Sequence, residues 1–206
     1  MTAKSSLLEE LKQMGINEKI LSAIKSVNRE LFISPAQAHL AYENIPLPIG
    51  SEQTISQPYT VAFMIQLLEI HPEDKILEVG AGSGYNAAVM SQLTGEKGKI
   101  ISVELVAELA KQARDNLKKA GITNVKVIHG NGYLGYAKEA PFDKIIVTAG
   151  ASETPPALIE QLKENGILVI PINRGWGQVM TKIMKKEGRL IASEHGEFSF
   201  VPLKHE

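Results

Sequence analysis

The chain has 206 residues, 44% of them hydrophobic, with a formal net charge of −1 and no cysteine. That length fits one domain with a sizeable core. The balanced charge gives no electrostatic case for nucleic acid or for an anionic membrane surface, and the lack of cysteine excludes disulfides, thiolate metal sites and a cysteine nucleophile. The histidines (His39, His71, His129, His195, His205) are scattered, with no pair at metal-ligand spacing. No apolar run approaches about 18 residues, and Met1 to Ser6 lacks the apolar core of a signal peptide. The chain therefore reads as cytoplasmic, with no membrane span.

Residues 5–28 read as two short helices. Ser5 is placed to cap the first, which carries Leu7, Leu8, Leu11 and Met14 at helical spacing and stops at Gly15. Asn17 is placed to cap the second, which carries Ile20, Leu21, Ile24 and Val27. Residues 42–58 hold Pro46, Pro48 and Pro58, show no helical period and read as a long functional loop. Ser56 before Pro58 reads as the cap of a helix carrying Val61, Ala62, Met64, Ile65, Leu67 and Leu68. Thr54 and Ser56 then sit at a helix N-terminus, where anions are favoured.

From 75 onward strands and helices alternate. Strand 75–79 precedes helix 85–94, strand 99–104 precedes helix 106–120, and strand 125–129 precedes a connector. Strand 142–148, helix 155–163 and strand 166–172 follow. Such alternation predicts an α/β fold, a mainly parallel central sheet with helices on both faces and a ligand at the strands' carboxyl ends. The glycine loop, Glu104, Asn131 and Thr148 fall at such ends. Residues 178–186 and 189–203 read as antiparallel strands joined at Glu187-Gly188.

The central stretch is Ile76-Leu77-Glu78-Val79-Gly80-Ala81-Gly82-Ser83-Gly84-Tyr85. A short apolar strand, a glycine turn and a helix start form a nucleotide-type site, because glycine lets backbone approach a ligand and a helix N-terminus offers free N–H groups. Gly82 to Ala87 also satisfies the G-x-G-x-x-G/A dinucleotide spacing. Glu78 discriminates. A carboxylate facing the loop repels a pyrophosphate and suits a cationic ligand such as S-adenosylmethionine. Glu104, about twenty residues on, falls where a ribose-binding acid is expected. Asp143 reads as structural and His129 as packed or solvated, whereas Trp176, between two glycines, fits either a groove cover or a turn anchor.

With these residues placed, the chain resembles the protein-L-isoaspartate O-methyltransferases nearly end to end. The resemblance rests on Pro46 to Gly50, Gln53 to Pro58, Glu78 to Tyr85, Gly130-Asn131-Gly132, Ala140 to Asp143, Pro155 to Leu162, Gly166 to Pro171 and Phe200 to Leu203. It implies a Rossmann-like class I methyltransferase fold in a single domain over 1–206. Residues 1–58 would form an N-terminal helical extension with the active-site loop, and 59–206 the core with antiparallel C-terminal strands. It implies methyl transfer from S-adenosylmethionine to the α-carboxylate of isoaspartyl residues in damaged proteins and peptides, by a monomer. Ser56 and Thr54 would be catalytic. Ile55, Glu78, Gly80, Ala81, Gly82, Gly84, Tyr85, Glu104, Gly130, Asn131, Gly132 and Thr148 would bind the cofactor. Gln53, Ser56, Val201, Pro202 and Leu203 would bind the substrate.

Two positions depart from the family pattern: Glu52 stands where glycine is usual, and Asn131 where aspartate is usual. Glu52 motivates a related carboxyl methyltransferase with another acceptor. Both together motivate a cofactor-binding module without catalysis, and the Gly82-to-Ala87 spacing motivates a nicotinamide enzyme.

Overall fold

The computed structural model describes residues 2–175 and 177–204. The N-terminal stripes form helices α1 (Ala3–Gln13) and α2 (Glu18–Ser26). Thr2, not Ser5, caps α1. Thr2 has extended backbone and its hydroxyl accepts the Ser5 N–H at 3.2 Å, whereas Ser5 lies inside the first turn. Asn17 caps α2, accepting the Ile20 N–H at 3.1 Å. Leu7, Leu11, Ile20, Leu21 and Ile24 are buried, while Met14 stays 43% exposed beyond the end of α1.

Residues 42–58 are not one long loop. They contain a hairpin of β1 (Leu47–Gly50) and β2 (Gln53–Ile55), pairing Leu47 with Ile55 and Pro48 with Thr54. In β1 Leu47 and Ile49 point inward and Pro48 and Gly50 outward. A four-residue strand containing proline gives too few periods to stand out in sequence, and a two-stranded ribbon tolerates the missing N–H at Pro48. Ser51 and Glu52 form its turn with φ of 51° and 58°, the left-handed pair that suits two-residue hairpins. Helix α3 (Pro58–Leu68) follows with Gln57, not Ser56, at its cap and no side-chain cap bond. Pro58 at the first helical position supplies its fixed φ and wastes no N–H.

The sheet comprises β3 (Lys75–Val79), β4 (Lys99–Glu104), β5 (Val125–His129), β6 (Phe142–Val147), β7 (Leu162–Arg174), β8 (Gly177–Lys186) and β9 (Arg189–Phe198). Helix α4 (Tyr85–Thr94) joins β3 to β4, α5 (Ala107–Lys119) joins β4 to β5, and α6 (Pro156–Gln161) precedes β7. The order is β5-β4-β3-β6-β7-β8-β9, parallel through β7 and antiparallel for the last two. Strand β7 begins four residues earlier than the 166–172 expectation, and β9 stops at Phe198, short of Leu203. The tail instead folds back: Gly150 donates to the Val201 carbonyl and Leu203 donates to the Gly150 carbonyl, each at 2.8 Å. Val201 to Leu203 thereby reach the carboxyl edge of the sheet.

Side chains alternate across the parallel strands. Ile76, Ile100 and Ile146 pack in one cluster with α1 to α5, while Leu77, Ile101 and Ile145 pack in another with Leu158 of α6. Helices cover both faces, unequally. Strand order reverses between β3 and β6, and open α/β sheets bind ligands at that point. Trp176 lies outside the described residues. Among the described residues, no helix is long and apolar enough to cross a membrane.

Candidate active site

A cleft opens at the carboxyl ends of β3, β4 and β6. Gly80, with φ of +94°, turns the chain out of β3. The Thr148 hydroxyl donates to the Gly80 carbonyl at 2.8 Å, and a Cβ on Gly80 would fall 2.4 Å from that hydroxyl oxygen. Gly132 closes another side, where a Cβ would meet Val79 Cγ1 at 2.5 Å. Gly84 serves packing: a Cβ there would press on α5 at Ala113 and Leu117, each at 3.3 Å.

Glu104 ends β4 at the cleft, 7% exposed. One oxygen accepts the Gly82 N–H at 2.8 Å and the other the Val106 N–H at 2.9 Å. A carboxylate has about four lone-pair positions, so acceptor capacity remains toward the cleft.

Glu78 corrects the sequence reading. It does not face the glycine loop's open side: it is fully buried, beneath the start of α4. Asn86 donates its amide to Glu78 at 2.7 Å, and the Ser102 hydroxyl donates to the other carboxyl oxygen. Burial pushes the Glu78 carboxyl up to about 7, against the lowering effect of these two donors. The pleat explains the error. Glu78 shares the Ile76 face of β3, and both faces of a parallel strand are covered. Asn131 corrects it again. Its side chain accepts the Tyr133 N–H at 2.9 Å, setting the turn that presents Gly132, and neither Asn131 nor Gly130 is among the cleft-lining residues.

The acceptor side comes from the hairpin. Gln53, Thr54, Ile55 and Ser56 line the cleft opposite the glycine loop. Thr54 and Ser56 also line a second, open groove beside it, as do Thr148 and Val201. That groove carries an aromatic wall of Tyr59, Phe63, Phe198 and Phe200, with Phe63 and Phe198 stacked at 5.4 Å between centroids. Because Gln57 holds the cap position, the Ser56 hydroxyl is not spent on capping α3.

The structure thus brings together Gln53 to Ser56, Gly80 to Gly82, Tyr85, Glu104, Gly132, Thr148 and Val201 to Leu203. It leaves Glu78, Gly84, Gly130 and Asn131 behind the lining. The cleft also takes in Asn86, Leu105, Val106, Ala149 and Lys204, which the sequence reading did not select. Leu105, Val106 and Ala149 directly follow strand ends, so the carboxyl-end rule would have found them. For Asn86 the one available signal is a polar residue in an otherwise apolar helix start.

A switch-point cleft roofed by a glycine turn, closed by an acid at the end of the next strand and opening onto a groove, is the nucleotide-type cofactor site of a Rossmann-like fold. The profile of the family described as "Protein-L-isoaspartate(D-aspartate) O-methyltransferase" matches residues 2–206. A relative from Methanococcoides burtonii named protein-L-isoaspartate O-methyltransferase is 45% identical over 197 residues, covering 96% of this chain and 97% of its own. A solved protein-L-isoaspartate O-methyltransferase superposes with a TM-score of 0.88 at 34% identity; the match covers 97% of this chain and 65% of that longer one. A Plasmodium falciparum structure of the same description, holding S-adenosyl-L-homocysteine, superposes with a TM-score of 0.87 at 32% identity over 99% of both chains. The chain belongs to the protein-L-isoaspartate(D-aspartate) O-methyltransferase family.

Proposed function

We propose that this chain methylates the α-carboxylate of isoaspartyl residues in damaged proteins and peptides, with Thr54 and Ser56 holding the acceptor and S-adenosylmethionine in the cleft. One observation carries the reading: Thr54 and Ser56 stand on the rim shared by the cleft and the groove. With Thr148 and Val201 they border the passage between a group bound in one and a group bound in the other, and of these four only Thr54, Ser56 and Thr148 carry hydroxyls.

The cleft fits such a cofactor. Gly80 and Gly132, whose Cβ atoms would collide with Thr148 and Val79, line the cleft with backbone free of side chain. When bound, S-adenosylmethionine supplies a methyl group on a positively charged sulfur. Glu104 would take the ribose hydroxyls, Gly132 the adenine side, and Ile55 and the 80–82 backbone the remaining walls. Glu78, Gly84, Gly130, Asn131 and Thr148 support this lining from behind or at its edge.

The acceptor needs no strong base. A carboxylic acid titrates near 4 and is ionised at neutral pH. What it needs is aim and dryness. Hydroxyl donors from Thr54 and Ser56 orient the anion without neutralising it. Gln53 and Val201 to Leu203 would hold the peptide backbone, and backbone recognition suits an enzyme that accepts many sequences.

The reading includes one domain over 1–206, acceptor elements in 1–58 and the cofactor core in 59–206, acting as a cytoplasmic monomer. Labelled S-adenosylmethionine with an isoaspartyl peptide and its aspartyl twin tests the activity. Base-labile label on the isoaspartyl peptide alone supports it. Label only on another carboxylate would replace it with a related carboxyl methyltransferase, the reading that Glu52 favours.

A further inference from the structure

Arg29 is a fully buried side chain in a molecule whose other arginines lie nearer the surface. It sits in a short 3-10 turn, Arg29–Phe32, after the two N-terminal helices. No described carboxylate pairs with it. Its guanidinium instead donates to three backbone carbonyls from separate places: Ala41 at 2.8 Å, Ile45 at 3.2 Å and Ser56 at 3.1 Å. Its Nε has no partner among the described atoms. The guanidinium carbon lies 5.8 Å from the centre of the Tyr85 ring, and Phe32 meets the same ring edge-on at 5.5 Å.

A buried cation without a counter-anion is costly, and a fold that needed only to fill this space would do so with an apolar side chain. The planar fork does what an apolar residue cannot. It ties together irregular chain on both sides of the hairpin, Ala41 and Ile45 before β1 and Ser56 after β2. Two of its contacts matter for the reaction. The Ser56 carbonyl belongs to a residue that lines both the cleft and the groove. Tyr85 is the first residue of α4, directly after the glycine loop.

We infer that Arg29 is a positioning residue for methyl transfer: its guanidinium pins the Ser56 backbone on one side and rests on Tyr85 on the other, setting the acceptor hydroxyls against the glycine loop. The inference rests on the reading of Ser56 given above. Arg29 touches neither cleft nor groove and acts through these two residues. Displacement of a reacting group by an ångström costs on the order of a hundredfold in rate, so a loosened Ser56 should show in turnover before it shows in cofactor binding.

The test uses the full chain with two variants. Arg29→Lys keeps the charge and loses the fork; Arg29→Gln loses the charge, spares the buried-cation cost and keeps one amide donor. Three quantities are read: turnover on an isoaspartyl peptide at saturating substrates, well below the melting temperature; cofactor affinity by calorimetry; and hydrogen exchange of the amides at 54–57. Expected are turnover lower by about tenfold or more, cofactor affinity within about twofold, and faster exchange at 54–57. The turnover loss should also shrink in a Ser56→Ala background, because both changes remove one function. Wild-type turnover with either folded variant would overturn the inference. So would a loss that simply multiplies with that of Ser56→Ala, a matching loss of cofactor affinity, or failure of both variants to fold. If the wild-type chain does not methylate the isoaspartyl peptide, the functional reading fails, and unchanged exchange at 54–57 in the variants separately removes the role of Arg29.

Discussion

The Thr148 hydroxyl oxygen lies 2.4 Å from where a Gly80 Cβ would stand, too close for both, and it donates to the Gly80 carbonyl at 2.8 Å. One residue after β6 thereby fixes the turn that leaves β3, across the point where strand order reverses.

Gly80→Ala therefore meets two penalties. At φ of +94° an L side chain is strained, at a cost of about 1–2 kcal/mol, and its Cβ overlaps Thr148. We expect a fall in melting temperature of at least about 2–4 °C, and cofactor affinity reduced by tenfold or more in calorimetry. Thr148→Ala removes the overlapping atom and should restore part of the affinity in the double variant. Losses that merely add would show that the two residues do not contend for one space.

Glu78 sets a pH dependence of stability. Its carboxyl rises from the ordinary 4.5 to about 7 because burial disfavours the charged form. The folded protein therefore binds a proton that the unfolded chain has released. That contribution is complete below the unfolded value and is lost as pH rises through about 7. Its full size is on the order of 3 kcal/mol. Glu78→Gln is neutral at every pH. Denaturant melts at pH 4.5, 6 and 8 should find wild type losing stability relative to Glu78→Gln as pH rises. Parallel pH profiles would mean that Glu78 is already ionised in the fold.

Glu78 also illustrates how far the sequence could be read. Its strand was legible because Lys75 to Val79 is a short β-favouring run before a glycine turn. Its direction was not, because Ile76 and Leu77 are equally buried and no polar face marks the cleft side. The hairpin at 47–55 was hidden by Pro46 and Pro48, which break a pattern only four residues long. Thr54 and Ser56 were legible as residue types beside a helix start, although the cap role belongs to Gln57. Arg29 had no signature, since its partners are carbonyls 12, 16 and 27 residues away, and every residue carries a carbonyl.

Ser56→Ala tests the rim. Loss of one well-placed donor to a reacting anion typically costs about 10²-fold or more in turnover. The acceptor here is already ionised and Thr54 remains, so a loss of about tenfold to a hundredfold is expected. Cofactor affinity should hold, because no cofactor charge depends on this hydroxyl. Wild-type turnover in the variant would reduce Ser56 to a backbone element.

Glu52 occupies the second turn position of the hairpin with φ of 58°. Glutamate in this region is strained by about 1 kcal/mol, and glycine is not. Glycine also loses more chain entropy on folding, so the net gain from Glu52→Gly should be below about 1 kcal/mol, or a rise of roughly 2–3 °C at this chain length. The change also removes an exposed carboxylate two residues from Thr54. An anionic acceptor approaching Thr54 and Ser56 is repelled by that charge, weakly and in a salt-dependent way. The variant should therefore show a lower KM for the isoaspartyl peptide at low ionic strength, a gap that closes as salt is added, and an unchanged kcat. A KM that rises instead would assign Glu52 to substrate recognition, with a cationic flank on the preferred peptide.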